Sequence, residues 1–207
     1  MIDEQKRTKS IHIMGASGAG VTTLGRALSR ALNRTHLDTD DFFWMPTEPP
    51  YVSKRPVEER ISLLNAAFSQ ASESGWVLSG ALNRWGDSLV PCFGLVVFVE
   101  TPTELRIQRI RERESKRFGA AIAVGGPRHA EHEAFIAWAE GYEGGAYPPT
   151  ESYGFAIVTR NRANHEAWLR QLPCPVLRVD GARPVEVLVD QVMNALGEPI
   201  TLPAQKG

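Results

Sequence analysis

The chain is poor in the features that tie a sequence to one compartment or partner. It has two cysteines, Cys92 and Cys174, which stand far apart and beside prolines. Two such cysteines indicate neither a disulfide framework nor a zinc site, so we expect a reducing, cytoplasmic setting. The formal net charge is −1, which gives no indication of a basic surface for nucleic acid or for an anionic membrane.

Long apolar segments are missing as well. No run approaches the roughly 20 residues of a membrane-spanning helix, and residues 1–9 are mostly polar, so neither a membrane span nor a signal peptide is expected. With 207 residues, 43% of them hydrophobic, the chain is long enough to bury a core without disulfides or metals. We expect a single domain, 1–207, that is a monomer or a homodimer.

A glycine-rich motif stands near the start. Residues 15–22, hereafter the phosphate loop, read Gly15-Ala16-Ser17-Gly18-Ala19-Gly20-Val21-Thr22, which matches G-x-x-x-x-G-K-[ST] except for Val21. In this motif, backbone N–H groups and the following helix N-terminus face phosphate oxygens, and the final Ser or Thr binds Mg²⁺. We therefore expect a phosphorylated ligand on the loop and on Thr23; a glycine-rich turn without a ligand is the alternative.

Val21 stands where the motif has lysine. Valine brings no charge to the β- and γ-phosphates, and a hydrogen bond to a charged group contributes about 1.5–3 kcal/mol. We expect nucleotide binding to be weakened rather than abolished, unless another cation takes over. The candidates for that cation are Arg109, Arg113, Arg117, Arg160 and Arg162.

Predicted strands and helices alternate along the chain. Apolar runs predict strands at 10–14, 35–38, 76–80, 95–100 and 176–179, and helical periodicity predicts helices at 20–33, 56–74, 101–116, 130–140, 162–171 and 184–196. Thr101 and Glu104 have the spacing of a capping box. This order predicts an α/β fold with one doubly wound parallel sheet, whose ligands bind beyond the carboxyl ends of the strands.

Two motifs together carry a family resemblance. Gly15-x-x-Gly18-x-Gly20-x-Thr22-Thr23-x-Gly25-x-x-Leu28, followed by Leu37-Asp38-Thr39-Asp40, resembles the opening of shikimate kinases, gluconate kinases and adenylate kinase-like proteins, especially a subgroup without the loop lysine. The resemblance is specific over residues 10–41. It implies a three-layer P-loop NTPase fold with a five-stranded parallel sheet, an acceptor-binding region at about 41–75 and a helical lid at about 114–162. It also implies transfer of the γ-phosphoryl group of ATP, with Mg²⁺.

The acidic pair Asp38 and Asp40 follows the second predicted strand. In the resembling kinases, the first acid of this pair lies near the metal and the second near the acceptor hydroxyl. The resemblance therefore implies that Asp38 binds Mg²⁺ through water and that Asp40 orients the acceptor or serves as base. The alternative is that both cap a loop or a short helix, since Asp favours such positions.

Four arginines form one stripe of the helix after the fourth strand: Arg106, Arg109, Arg113 and Arg117. Lid arginines in the resembling kinases clamp the transferred phosphoryl group and stack on adenine. Arg109 and Arg113 are the residues that we assign to these roles. A solvated helix face is the alternative, because glutamates are interleaved with the arginines.

The resemblance implies that the acceptor lies at the carboxyl end of the third strand. Gly80 permits close backbone approach, Arg84 can pair with an acidic acceptor, and Trp85 can stack on a ring; a turn with a solvated Arg and a core Trp is the alternative. Residues 42–46 form either a pocket wall or core.

The motifs that would name the acceptor are missing. Neither the Gly-Gly-Gly of shikimate kinases nor the Asp-Gly-x-Pro-Arg run of adenylate kinases is found there, which argues against shikimate and AMP. The sequence thus predicts a kinase acting on a nucleoside monophosphate or a small hydroxy compound. A catalytically degenerate nucleotide-binding regulatory protein is the alternative.

Overall fold

The computed structural model describes residues 9–48, 50–71, 74–144 and 160–197. Its centre is one sheet of five parallel strands in the order β2-β3-β1-β4-β5. The strands are β1 Ser10–Gly15, β2 Thr35–Asp38, β3 Trp76–Ser79, β4 Leu95–Glu100 and β5 Val176–Asp180. Since all strands run in one direction, their carboxyl ends meet at one edge, where β1 continues into the phosphate loop.

Helices connect the strands and cover the sheet. They are α1 Val21–Ala31, α2 Thr39–Phe43, α3 Val57–Gln70, α4 Thr103–Phe118, α5 His129–Glu140, α6 Arg162–Leu169 and α7 Val185–Leu196, with 3-10 turns at Asp87–Cys92 and Gly119–Ile122. The predicted fold class is confirmed, and most element ends fall within a few residues of those expected. No strand or helix was predicted between residues 38 and 56, but α2 forms there and Trp44 pairs with Lys54 in an antiparallel bridge.

The sheet is buried on both faces, which explains the continuous apolar runs of its strands. On one face, Ile13 and Val97 pack against Leu24 and Leu28 of α1 and against Val192 of α7. On the other face, the contributing residues include Met14, Leu78, Phe98, Leu64 of α3 and Leu169 of α6. The three layers of the P-loop fold are therefore present, with the sheet in the middle.

The predicted capping box at Thr101 is wrong. The N-cap position of α4 is Pro102, and no side chain caps it. The buried Thr101 hydroxyl instead donates to the carbonyl oxygen of Ala19 at 3.0 Å. Thr101 therefore ties the end of β4 to the phosphate loop rather than starting the helix.

The predicted lid, at about 114–162, is described in part. Its described portion contains the end of α4, the 3-10 turn Gly119–Ile122 and α5, while residues 145–159 lie outside the described residues. Across the described ranges, none of the helices has the length and apolar character that crossing a membrane requires.

Candidate functional site

The phosphate loop is a tight turn between β1 and α1. Gly18 and Gly20 have φ of +80° and +97°, in the left-handed region that favours glycine. A Cβ atom on Gly18 would stand 2.5 Å from the carbonyl oxygen of Arg106, so the loop lies directly against α4. Positive φ angles and close packing explain why these positions hold glycine.

Val21 contributes packing to the loop. Its half-buried side chain packs against the core between α1 and the sheet. A Cβ atom on Gly15 would lie 3.2 Å from Val21 Cγ2. The motif position that normally holds a lysine therefore supports the hydrophobic layer here and carries no charge.

Arg109 brings a positive charge to the same loop. Its Nη1 donates to the carbonyl oxygen of Ala19 at 3.4 Å. The same nitrogen lies 3.6 Å from where a Cβ atom of Gly20 would stand. Among the arginines proposed from the sequence to replace the lysine, Arg109 therefore has a guanidinium in contact with the loop.

Thr22 and Asp38 are neighbours. The Thr22 hydroxyl donates to Asp38 Oδ2 at 2.9 Å, while Asp38 Oδ1 accepts from the backbone N–H of Asp40 at 3.1 Å. Asp38 is thus the N-cap of α2, as one of the two alternatives drawn from the sequence has it, and at the same time faces the loop. Its role in binding Mg²⁺ stays a prediction. A hydroxyl and a carboxylate are oxygen ligands of the kind that Mg²⁺ prefers.

The Thr22 hydroxyl and the Asp38 carboxylate fit Mg²⁺ better than a metal that takes all its ligands from protein side chains. No cluster of three or more His, Cys, Asp or Glu side chains suited to a metal occurs within the described part of the chain. Mg²⁺ commonly uses one or two protein oxygens and takes its other ligands from phosphates and water. Thr22 and Asp38 are sufficient for that arrangement.

Asp40 is an exposed residue at the start of α2. The surrounding protein desolvates its carboxyl and raises its pKa above the ordinary value, while the positive charges of Arg160 and Arg113 oppose this rise. Both arginines are thus close enough to act on the carboxyl electrostatically. A carboxyl with a raised pKa beside a phosphate site is suited to accept a proton.

Gly80 packs closely against the residue between Asp38 and Asp40. Its φ is +116°, and a Cβ atom there would stand 1.8 Å from Thr39 Oγ1. Thr39 is the residue between Asp38 and Asp40, and it is buried. Close approach at Gly80 was expected from an acceptor; in the structure, Thr39 takes that space, so Gly80 helps to position the two carboxylates.

Two other predicted residues are exposed. Arg113 Nε donates to Glu114 Oε1 at 3.0 Å. Arg84 has a φ of +69°. It lines, with Asp87 and Asn164, a cavity of about 130 Å³. The lining of that cavity contains no residue of the phosphate loop, so the pairing of Arg84 with an acceptor stays a prediction.

The sequence reasoning missed Arg60. Its guanidinium lies 3.9 Å from the ring centroid of Phe43 and 5.4 Å from that of Trp85, and the residue is 7% exposed. Its Nε donates to the carbonyl oxygen of Arg55 at 2.6 Å. In the sequence it follows two glutamates within a predicted helix, a pattern that does not differ from a solvated face.

Arg106 was seen in the sequence as one member of the arginine stripe. In the structure it is fully buried, and its guanidinium donates to the phosphate loop and to α5. The spacing of the stripe did not reveal that its members have such different environments.

Comparisons with known proteins show the family and relatives of the chain. A family model described as "AAA domain" matches residues 11–123. The uncharacterized protein YqaC of Bacillus subtilis (strain 168) is 39% identical over 188 residues, which cover 91% of this chain and 97% of YqaC. A shikimate kinase of Acinetobacter baumannii (strain AYE) is 31% identical over 111 residues, covering 48% of this chain and 60% of the kinase.

A solved structure is similar in its fold. Shikimate kinase from Acinetobacter baumannii in complex with shikimate has a TM-score of 0.51 and 16% sequence identity, covering 90% of this chain and 92% of that chain. At this level of identity the similarity concerns the fold alone.

Proposed function

Because the chain belongs to the AAA domain family and has the fold of the P-loop kinases, we propose that it transfers the γ-phosphoryl group of MgATP to a small acceptor. The observation that carries this proposal is the Thr22–Asp38 hydrogen bond beside the phosphate loop, with Asp40 two residues further on. A loop, a metal-binding pair and an acceptor carboxylate are the parts that phosphoryl transfer requires.

ATP binds through the phosphate loop. The loop amides and the N-terminus of α1 face the phosphate oxygens, and Arg109 supplies the positive charge that Val21 lacks. An arginine suits this role because its planar fork donates two hydrogen bonds to phosphate. We expect the affinity to depend on the position of α4, which carries Arg109.

Thr22 and Asp38 would hold Mg²⁺, which would supply positive charge beside the phosphates. Asp40 orients the acceptor hydroxyl and accepts its proton while the hydroxyl oxygen bonds to the γ-phosphorus. The bond from the γ-phosphorus to the β–γ bridging oxygen breaks, and ADP leaves. Arg113 and Arg160, whose charges act on the Asp40 carboxyl, stabilise the negative charge of the transferred group.

The surroundings of Asp40 favour a planar, anionic acceptor. Phe43 lies one turn after Asp40 on α2 and packs edge-to-face against Trp44 and Trp85. Arg60 adds a positive charge to this aromatic group, and it forms no ion pair with any described carboxylate. Of the two acceptor classes that the sequence suggests, a nucleoside monophosphate has a planar base and an anionic group, and it fits aromatic walls beside an arginine better than a small hydroxy compound.

A regulatory protein that binds the nucleotide without turnover is the second candidate. The observation in its favour is Val21, whose packing in the core leaves the loop without its usual lysine. A protein that only senses a nucleotide has no use for an acceptor carboxylate such as Asp40, which is why the kinase is preferred.

The test is acceptor-dependent release of ADP from MgATP, measured over a panel of nucleoside monophosphates and small hydroxy acids. We expect one acceptor class to stimulate release, Asp40→Asn to abolish the stimulation while MgATP still binds, and Asp41→Asn, at the exposed neighbouring carboxylate, to retain it. MgATP binding without stimulation by any acceptor would support the regulatory protein instead.

A further inference from the structure

Arg106 is a buried arginine with an unusual set of partners. Its side chain is 0% exposed. Its Nε donates to Thr101 O at 3.2 Å and its Nη2 to Thr103 Oγ1 at 2.9 Å. Its Nη1 donates to Ser17 O at 3.3 Å and to Ala139 O at 3.1 Å. None of the ion pairs among the described residues involves Arg106, so carbonyl and hydroxyl oxygens take the place of a carboxylate.

The two acceptors of Nη1 belong to different parts of the molecule. Ser17 is in the phosphate loop, and Ala139 is in the last turn of α5, which lies in the predicted lid. Carbonyl groups in the last turn of a helix lack a partner within the helix and carry partial negative charge. Arg106 Nη1 donates to one of these carbonyl groups, that of Ala139, and also to the Ser17 carbonyl of the phosphate loop.

The backbone of Arg106 contacts the loop as well. A Cβ atom on Gly18 would lie 2.5 Å from the Arg106 carbonyl oxygen and 3.0 Å from Ile110 Cγ1. The loop therefore rests on α4 through both the main chain and the side chain of Arg106. Arg109 follows one turn later on the same helix, so its place at Ala19 depends on this contact.

Tyr142 extends the connection beyond α5. Its ring lies 5.1 Å from the Arg106 guanidinium, and its hydroxyl is 2.9 Å from Nδ1 of His165 in α6. Its carbonyl oxygen accepts from the backbone N–H of Arg162 at 2.9 Å. The end of α5 is thus joined on one side to Arg106 and on the other to α6.

We infer that Arg106 is a positioning residue that couples the phosphate loop to the last turn of α5, so that each stabilises the other. Its guanidinium is shared between them, and no second buried arginine links these two elements among the described residues. The nucleotide-dependent part of this coupling rests on the proposed function: a ligand that orders the loop also orders α5.

The test is amide hydrogen exchange of the full chain without nucleotide, followed at residues 17–20, at residues 137–142 and, as an internal reference, in β4. The variant is Arg106→Lys, which keeps the charge but cannot reach the same acceptors. Arg111→Lys is the matched control, since Arg111 is exposed on the same helix. Because hydrogen bonds to a charged group are lost, we expect exchange to rise about tenfold or more at both sites in Arg106→Lys, and at neither site in the control.

Faster exchange in α5 alone, with an unchanged loop, would overturn the coupling and leave Arg106 as a helix cap. If Arg106→Lys does not fold, hydrogen exchange of wild type with and without MgATP tests the inference. We expect MgATP to slow exchange in residues 137–142 as well as in the loop. Slower exchange in the loop alone would contradict the inference. Failure of the proposed function has a different signature, in which MgATP protects neither region while Arg106→Lys still loosens both.

Discussion

Arg109 Nη1 lies 3.4 Å from the carbonyl oxygen of Ala19, inside a phosphate loop whose lysine position holds Val21. The positive charge at this loop comes from Arg109 of α4, the helix that follows β4, and not from the helix that the loop begins. A charge carried by α4 reaches the loop only while that helix is packed against it. We therefore expect ligand binding at the loop to depend on how α4 and α5 are packed.

The substitution Asp38→Asn distinguishes the capping of α2 by Asp38 from its proposed binding of Mg²⁺. Asparagine still caps α2, since its side-chain oxygen can accept from the Asp40 N–H, but it lacks the negative charge that faces Thr22. We expect unchanged thermal stability and a Mg²⁺-dependent part of ATP affinity that falls about tenfold to a hundredfold. Calorimetric titration of ATP with and without Mg²⁺ measures this. Loss of stability with intact Mg²⁺ dependence would leave Asp38 as a cap alone.

The pH dependence of turnover reports Asp40. Desolvation raises its pKa, and Arg160 and Arg113 oppose the rise. Since the ionised carboxylate is the active form, turnover falls as the pH drops through this raised pKa, above the ordinary range near 3.8. Removing one opposing charge with Arg113→Gln should move this acid limb to higher pH, whereas Arg113→Lys should leave it nearly in place. The measurement is kcat against pH, and an acid limb that does not respond to Arg113→Gln would argue against Asp40 as the titrating group.

Gly80→Ala tests the support of the acidic pair. The added Cβ meets Thr39 Oγ1 at 1.8 Å, and φ is +116°, so both overlap and backbone strain oppose it. We expect the free energy of unfolding to fall by about 1–3 kcal/mol. Gly197→Ala, at a φ of +69° with no atom near the added Cβ, is the control for strain alone and should cost about 1 kcal/mol. Chemical denaturation measures both, and Thr39→Ala in the Gly80→Ala background should recover part of the loss.

Much of the fold was predictable because its signals are local. Apolar runs bounded by turns gave the five strands, and the glycine pattern gave the loop between β1 and α1. The capping box failed for a non-local reason: Thr101 has the right spacing, but its hydroxyl is taken by Ala19, 82 positions earlier in the chain. Spacing cannot reveal which distant group will compete for a side chain.

The site was predictable where a motif carried it. Thr22, Asp38 and Asp40 belong to recognisable motifs, and the structure brings them together. The burial of Arg60 and Arg106 was not predictable, because charged residues on predicted helices usually face solvent. Both arginines are buried by aromatic rings and carbonyl groups that belong to other elements.

His165 makes stability depend on pH. Burial lowers its pKa from 6.5 to about 3, so the histidine is neutral in the folded protein while the unfolded chain takes up a proton below about pH 6.5. The unfolded state therefore gains relative stability as the pH falls from 6.5 towards 3. At pH 5 this one group is expected to cost about 2 kcal/mol.

The variant that isolates this group is His165→Asn, which keeps an acceptor for the Tyr142 hydroxyl but does not titrate. Urea unfolding at pH 7.5 and pH 5 should give wild type a drop in the free energy of unfolding that is about 2 kcal/mol larger than the drop of the variant. Equal drops in the two proteins would mean that His165 is already accessible to protons in the folded state.

The most direct test of the account is calorimetric binding of MgATP to wild type, Arg109→Gln, Val21→Lys and the double variant, with Arg111→Gln as the control on the same helix. If Arg109 supplies the charge that the loop lacks, Arg109→Gln weakens binding about tenfold to a hundredfold, and Val21→Lys restores it in that background while adding little to wild type. Arg111→Gln should bind as wild type does. Wild-type affinity in Arg109→Gln, or an equal gain from Val21→Lys in both backgrounds, would contradict the account.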